Sequence, residues 1–337
     1  ERSFEFFGSA GVKMRQAGVE AVVDADGLAI MGVLEVARAL PTFLKAFRAL
    51  RDAARTRKPD VVVLIDFPDF NLKLARSMKR QGRRVVYYVS PQLWGWRKNR
   101  LKTIRDHVDL LLAILPFEEE WYAGHGVENV KYVGHPLAGN VGPSMPGPEF
   151  RKLYSIDADR PLVALLPGSR LKELSRILPP MVQAAAILRE EIPDIQFAVA
   201  LAATRSEAEV QQAIELADTS VPGPLPEIKV VKGATYDLMN AADAAAVASG
   251  TATLEAGIIG VPMAIVYKTS GLNARLFRPL ISVEHFGLIN LIAGKRVAAE
   301  LIQEDFTREA LAAEIRRLLD PSVNASMRAE LGAAADK

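Results

Sequence analysis

Short apolar runs alternate with amphipathic stretches along most of this chain, and that alternation restricts the fold more than any other feature. Parallel strands cannot be joined by tight turns, so each run must be followed by a crossover, usually a helix, before the next can pair with it. The first series of predicted strands is 3–7, 61–65, 84–89, 109–115 and 130–133; the second is 162–166, 196–201, 228–231, 243–248 and 262–267. Between them, residues 134–150 (GHPLAGNVGPSMPGPEF) hold four Gly and four Pro, the composition of a linker. The pattern predicts an α/β chain of two doubly wound, Rossmann-like domains facing across a cleft. Residues 1–139 form one domain, 140–150 the linker and 151–337 the other. A Pro-rich patch at 221–227 reads as a helix-to-strand loop.

Composition removes several classes of function. With 337 residues, half of them hydrophobic, the chain has ample core for two domains and is not disordered. It has no cysteine, so disulfides, Cys-ligated zinc and thiol nucleophiles are excluded, and its four His make a His-rich metal site unexpected. No apolar run is long enough to span a membrane as a helix, and the opening ERSFEFFG does not read as a signal peptide. A G-x-G-x-x-G after a strand and a G-x-x-x-x-G-K-[ST] are both missing, which counts against a dinucleotide dehydrogenase and a P-loop NTPase.

The net charge of +2 conceals an asymmetry. Residues 1–105 carry 21 Lys and Arg against 10 Asp and Glu, and 11 of those cations lie between Asp69 and Asp106 with no acid among them. Such a field suits anionic membranes, nucleic acid or phosphorylated substrates; solvated helix faces are the plainer explanation.

In the second half, LLPGSR (165–170) follows a strand. Gly168 permits a tight turn, Ser169 can cap the next helix, and Arg170 can grip a phosphate at the strand's C-terminal end. ASGTATLE (248–255) also follows a strand. Ser249, Gly250 and Thr251 lead into a helix whose first-turn N–H groups can bind an anion, and Glu255 could accept from sugar hydroxyls. Two phosphate-compatible loops in one domain suggest a nucleotide diphosphate, although each could be a plain strand-to-helix turn.

In the first half, LIDFPDFN (64–71) puts Asp66 at a strand end, where a carboxylate can serve as general base, with Asp69 capping the following helix. YYVSPQLWGWRKNR (87–100) offers Trp94 and Trp96 as exposed rings that can stack on a sugar, with Arg97 beside them able to bind an acceptor's phosphate; a lipid interface, RNA and a loop anchor would also suit the mixture. Residues 34–50 place Val36, Leu40, Phe43, Phe47 and Leu50 on one helical face, widened by Leu34 and Leu44. Basic residues occupy the other face, and Pro41 is expected to kink or break the helix. That face either packs on its own sheet or lies in a membrane interface, Leu34, Val36, Leu40, Phe43 and Leu44 being the candidates to meet lipid.

Taken together, LAIMGVLEV (28–36), PDVVVLIDFPDFN (59–71), YYVSPQLWGWR (87–97), LPFE (115–118), VGHPL (133–137), LLPGSR with Glu173, ASGTATLE and NLIAG (290–294) resemble the lipid-A-disaccharide synthases, in the family's order. The resemblance implies a GT-B fold and an inverting transfer. In it, 2,3-diacylglucosamine passes from UDP to the 6-hydroxyl of 2,3-diacylglucosamine 1-phosphate, giving the disaccharide 1-phosphate and UDP. By the same resemblance Asp66 is the base, Arg170 a diphosphate ligand, Ser249, Thr251 and Glu255 the nucleotide-sugar residues, and Asn290 the family's functional asparagine. It also implies a cytoplasmic enzyme peripheral to an anionic inner-membrane surface, with a homodimer possible and with neither nucleic acid nor a cofactor; the sequence shows no acidic cluster to hold a metal, and none is required if Arg170 and the helix N–H groups neutralise the diphosphate. The family's opening G-E-x-S-G-D-like loop and C-terminal helices do not occur between Glu1 and Lys337, and Ile289 stands where the family usually has proline. The rival readings are another UDP-sugar enzyme of this fold (a MurG-like transferase or an epimerase) and a non-catalytic UDP-binding protein of the membrane surface.

Overall fold

The computed structural model describes residues 4–25, 33–218, 225–270 and 285–337, with side chains in the first long helix from residue 40 onward. The chain divides into two units, Glu1–Gly134 and His135–Lys337.

The first unit runs β1 (Phe7–Ala10), α1 (Val12–Gln16), β2 (Glu20–Asp24), α2 (Val33–Arg57), β3 (Val61–Ile65), α3 (Pro68–Arg80), β4 (Arg84–Tyr88), α4 (Leu101–His107), β5 (Leu110–Ala113), α5 (Glu118–Ala123) and β6 (Val130–Tyr132). Strands β3 to β6 form a parallel sheet in sequential order, and β1 pairs with β2 in a separate parallel ribbon. The opening strand therefore lies at 7–10 rather than 3–7, and β2, with only Val22 and Val23 to mark it, was not expected from the sequence. Leu64, Met78, Val85, Tyr87, Ile104 and Leu111 centre the core, and Phe47 and Leu50 of α2 pack against it. Helix α2 continues through Pro41, contrary to the expected break. Proline removes one N–H, and in a helix of 25 residues the remaining ladder and the packed aromatic face carry the helix past that loss.

The second unit runs α6 (Gly147–Leu153), β7 (Leu162–Leu166), α7 (Leu171–Glu191), β8 (Gln196–Leu201), α8 (Glu207–Asp218), β9 (Ile228–Lys232), α9 (Thr235–Ala241), β10 (Ala244–Ala248), α10 (Thr251–Ile259), β11 (Met263–Tyr267), α11 (Leu288–Ala293), β12 (Ala299–Ile302), α12 (Arg308–Leu318) and α13 (Pro321–Ala335). The predicted loop at 221–227 begins outside the described residues. All six strands are parallel, in the order β12-β11-β10-β7-β8-β9. Strands β7 (LVALL) and β10 (AAAVA) are buried at every position, which is why they read as continuous apolar runs rather than alternating ones. The Gly- and Pro-rich segment is partly structured. The Asp237 carboxylate accepts from the N–H groups of Ser144 (2.6 Å) and Met145 (3.0 Å), tying 144–145 to α9, and α6 starts at Gly147.

Candidate functional site

In the second unit the chain leaves β9 and returns to the opposite side of β7 as β10. The crossover direction reverses at that pair, and a doubly wound sheet binds ligands beyond the strand ends at such a point. The two loops singled out in the sequence are the two that open there.

The loop after β7 is shaped by one glycine. Gly168 has φ 106°, and a Cβ on it would stand 2.5 Å from the Glu173 Oε2 atom. Glu173 takes that space to accept from the Arg170 N–H (3.2 Å) and from Arg170 Nη1 (2.8 Å). The N-cap of α7 is thus Arg170, in a capping box with Glu173, and not Ser169, which is exposed. The Arg170 side chain is 60% exposed, and an ion pair so wet is weak enough for a diphosphate to compete for it.

The loop after β10 turns at Gly250, whose φ of 144° with ψ of −158° is open to glycine alone. The N-terminal N–H groups of α10 follow, with Thr251 exposed at the first position. Ser249 Oγ donates to the Phe286 carbonyl (2.8 Å). Thr253 Oγ1 donates to the Gly250 carbonyl (2.8 Å) and accepts from the Leu288 N–H (3.1 Å). Glu255 accepts from the Tyr236 hydroxyl at 2.9 Å, and burial together with this bond pushes the Tyr236 phenol up to about 12.

Asn290 faces inward. It is fully buried, donates to the Ala298 carbonyl (2.8 Å) and Glu300 Oε1 (2.9 Å), and accepts from the N–H groups of Val297 and Ala298 (both 2.9 Å). Its bonding capacity is spent on the protein, which makes Asn290, the asparagine singled out by the resemblance, an internal staple. Glu300 extends the staple by accepting from the N–H groups of Phe286 (3.0 Å) and Gly287 (2.8 Å). Neither Tyr236 nor Glu300 was found from the sequence. Glu300 interrupts the short edge strand β12 and hid it, and Tyr236 follows β9 with no motif around it. Ile289, at the family's proline position, is fully buried, and a Cβ on Gly257 of α10 would meet its Cδ1 at 2.5 Å.

In the first unit, Asp66 is exposed at the C-terminal end of β3. Asp69, in the first turn of α3, pairs with Arg97 (2.8 Å) and Arg100. Partial burial opposes ionisation of Asp69, and the two guanidiniums outweigh it, holding its carboxyl below the usual range. The two tryptophans part company. Trp94 is 9% exposed, its N–H given to the buried Glu118 (3.0 Å) and its ring edge-on to Phe117, so it anchors the loop and is corrected from an exposed stacking ring. Glu118 also accepts from the N–H groups of Ile114 and Leu115, and burial raises its pKa. Trp96 is 40% exposed, with the Arg97 guanidinium 4.2 Å over its ring.

The expected lipid-facing residues also divide. Leu40 and Leu44 are exposed, whereas Phe43 packs against Phe67 and Phe70 and is corrected to a structural contact. The side chains of Leu34 and Val36 lie outside the described residues. Among the described residues no helix is long and apolar enough to cross a membrane, and no cluster of His, Asp and Glu side chains is placed to hold a metal ion.

Comparison with known proteins decides the family. The model of the lipid-A-disaccharide synthetase family matches residues 1–331. The chain is 45% identical to the lipid-A-disaccharide synthase of Syntrophus aciditrophicus over all of its own length and 86% of that protein's. The chain belongs to the lipid-A-disaccharide synthase family. The synthase of Geobacter metallireducens is 42% identical, over 96% of this chain and 82% of that protein. Family membership makes the chain a glycosyltransferase of lipid A biosynthesis and disfavours the epimerase and non-catalytic readings. Solved structures agree in fold. The Staphylococcus aureus MnaA–UDP co-structure has a TM-score of 0.61 at 12% identity, covering 99% of this chain and 94% of that one. The Neisseria meningitidis UDP-GlcNAc 2-epimerase bound to UDP-GlcNAc has a TM-score of 0.57 at 13% identity, covering 99% and 98%. These likenesses carry the two-domain Rossmann-like GT-B fold and nothing finer.

Proposed function

We propose that the second unit holds the UDP of a diacylglucosamine donor and that Asp66 of the first unit activates the acceptor. The observation that carries the donor half is the convergence of the β7 and β10 loops on one topological switch point, one bringing an exposed arginine and the other a helix N-terminus. Arg170 and the free N–H groups at the start of α10 neutralise the diphosphate, with Gly168, Ser169 and Gly250 shaping the approach and Thr251 beside it. Glu255, oriented by Tyr236, accepts from the ribose hydroxyls, and Ser249 holds the loop through Phe286.

Asp66 takes the proton of the 6-hydroxyl of diacylglucosamine 1-phosphate. The oxygen attacks the anomeric carbon as its bond to the diphosphate breaks, so the centre inverts. The charge arriving on UDP is met by Arg170 and the helix N-terminus. Trp96 and Arg97 receive the acceptor's sugar and phosphate, while Trp94 fixes the loop that carries them. We infer further that the basic first unit attaches to an anionic inner-membrane surface from the cytoplasmic side through the Leu40 and Leu44 stripe, without a spanning helix.

The test is Asp66→Asn, assayed with UDP-diacylglucosamine and the 1-phosphate acceptor alongside UDP binding by calorimetry. Turnover should fall by about 10²-fold or more, with UDP affinity unchanged within about twofold. Wild-type turnover in this variant removes Asp66 as the base.

A further inference from the structure

The end of β3 is bent against backbone preference. Asp66 and Phe67 are consecutive residues with left-handed φ, 46° and 47°, and neither is glycine. Phe67 is moreover the N-cap of α3 and precedes Pro68, a position biased toward extended backbone. Starting a helix does not demand this geometry. Helices α12 and α13 start from extended N-caps, Thr307 and Asp320, whose side chains accept from the first turn, whereas Phe67 makes no such cap. The neighbouring strand end carries similar strain: Val89, directly after β4, is left-handed as well at φ 64°.

Two side chains from different elements converge on the peptide that makes the bend. The Asp66 carbonyl accepts from Asn71 Nδ2 at 2.8 Å and from the Tyr87 hydroxyl at 2.6 Å, and Asn71 Nδ2 also donates to the Ile65 carbonyl at 3.0 Å. The Asp66 N–H stays on the ladder, donating to the Tyr88 carbonyl at 2.9 Å. With N–H and C=O both fixed, the direction of the Asp66 Cα–Cβ bond is fixed too. Tyr87 is fully buried, and burial pushes its phenol far above the ordinary tyrosine value, so it remains a donor throughout the neutral range.

We propose that Asn71 and Tyr87 are positioning residues for Asp66, holding the left-handed turn that aims its carboxylate at the acceptor hydroxyl. The inference rests on the reading of Asp66 as general base. A purely structural role, fastening α3 to the sheet, predicts lost stability without a specific loss of turnover.

The experiment compares Asn71→Ala, Tyr87→Phe and Asn129→Ala in the full chain. Tyr87→Phe keeps the buried ring and removes only the hydroxyl, so it still reports should Asn71→Ala fold poorly. Asn129 is the control: its side-chain amide donates to the Val108 carbonyl in the same unit, ahead of the N-terminal end of β5. Asn71→Ala and Tyr87→Phe should each lower kcat by roughly 10- to 100-fold, with KM and UDP affinity held within about twofold, since a displaced base harms only the chemical step. Asn129→Ala should lower Tm comparably and keep kcat. In an Asp66→Asn background, adding Asn71→Ala should change the residual rate by no more than about twofold, because the residue it acts through is already disabled. Wild-type kcat in both Asn71→Ala and Tyr87→Phe, or losses that multiply in the double variant, overturns the proposal. Full turnover in Asp66→Asn alone instead overturns the base assignment beneath it, so the two failures are distinct.

Discussion

Asn290 illustrates how a residue can matter to a site without touching the ligand. Its amide spends two donors and two acceptor bonds on residues 297–300, and through Glu300 it fixes the N–H groups of Phe286 and Gly287. Phe286 and Leu288 in turn hold Ser249 and Thr253 on either side of the Gly250 turn. Replacing Asn290 by Ala should therefore cost about 2–4 kcal/mol of unfolding free energy in urea, since several buried groups lose partners together. UDP binding should weaken as the loop loosens. Normal stability with weakened UDP binding would instead return Asn290 to direct contact with the nucleotide. Family resemblance singled out this asparagine, but only the structure tells what it holds, because its partners lie in and just before a strand, β12, that the sequence pattern did not betray. Asp66 differs: a carboxylate at a strand's end was legible from LIDFPDFN, while of the two donors that fix its carbonyl Tyr87 depends on strand register and Asn71, though in the same motif, carries no mark of the bond it makes.

Among the elements, the entry to α7 depends on a single missing side chain. Gly168→Ala would place a Cβ at φ 106° and against Glu173, costing about 1–3 kcal/mol and pushing Glu173 away from Arg170. A lowered Tm together with weaker UDP binding is the expected result, and wild-type values for both would mean that the turn relaxes freely. Helix α2 shows what periodicity can and cannot tell. The spacing located one apolar face but not its neighbours, and the fold divides that face between the core (Phe47, Leu50), an aromatic cluster (Phe43) and solvent (Leu40, Leu44). Leu40→Ser with Leu44→Ser should leave stability within about 0.5 kcal/mol while reducing co-sedimentation with anionic vesicles. Phe43→Ser should cost about 1–2 kcal/mol through lost burial. Undiminished vesicle binding in the double variant would remove the stripe from membrane attachment.

At the scale of the whole chain, the alternation of strand and helix and the Gly- and Pro-rich segment made the two-unit α/β plan legible. The order of strands in the second sheet was not, because pairing between distant segments leaves no local trace; yet that order brings LPGSR and ASGT to adjacent strand ends. The units also differ in how they should respond to alkali. Tyr87 and Tyr122 of the first unit are fully buried, and burial raises both phenols far above the ordinary value, whereas Tyr236 of the second is raised only to about 12. A raised phenol contributes stability that is complete below the unfolded tyrosine value of about 10. That stability is lost as pH climbs toward the folded value, because the unfolded chain releases its proton first. Above pH 10 the first unit, with two such groups, should therefore lose stability more steeply with pH than the second. All three tryptophans, at 94, 96 and 121, lie in the first unit and report on it alone. Raising the pH from 9 to about 12 should shift tryptophan emission to the red, and Tyr122→Phe should move the emission change to higher pH. An emission change that Tyr122→Phe leaves in place would show that the buried phenols do not govern the alkaline limit.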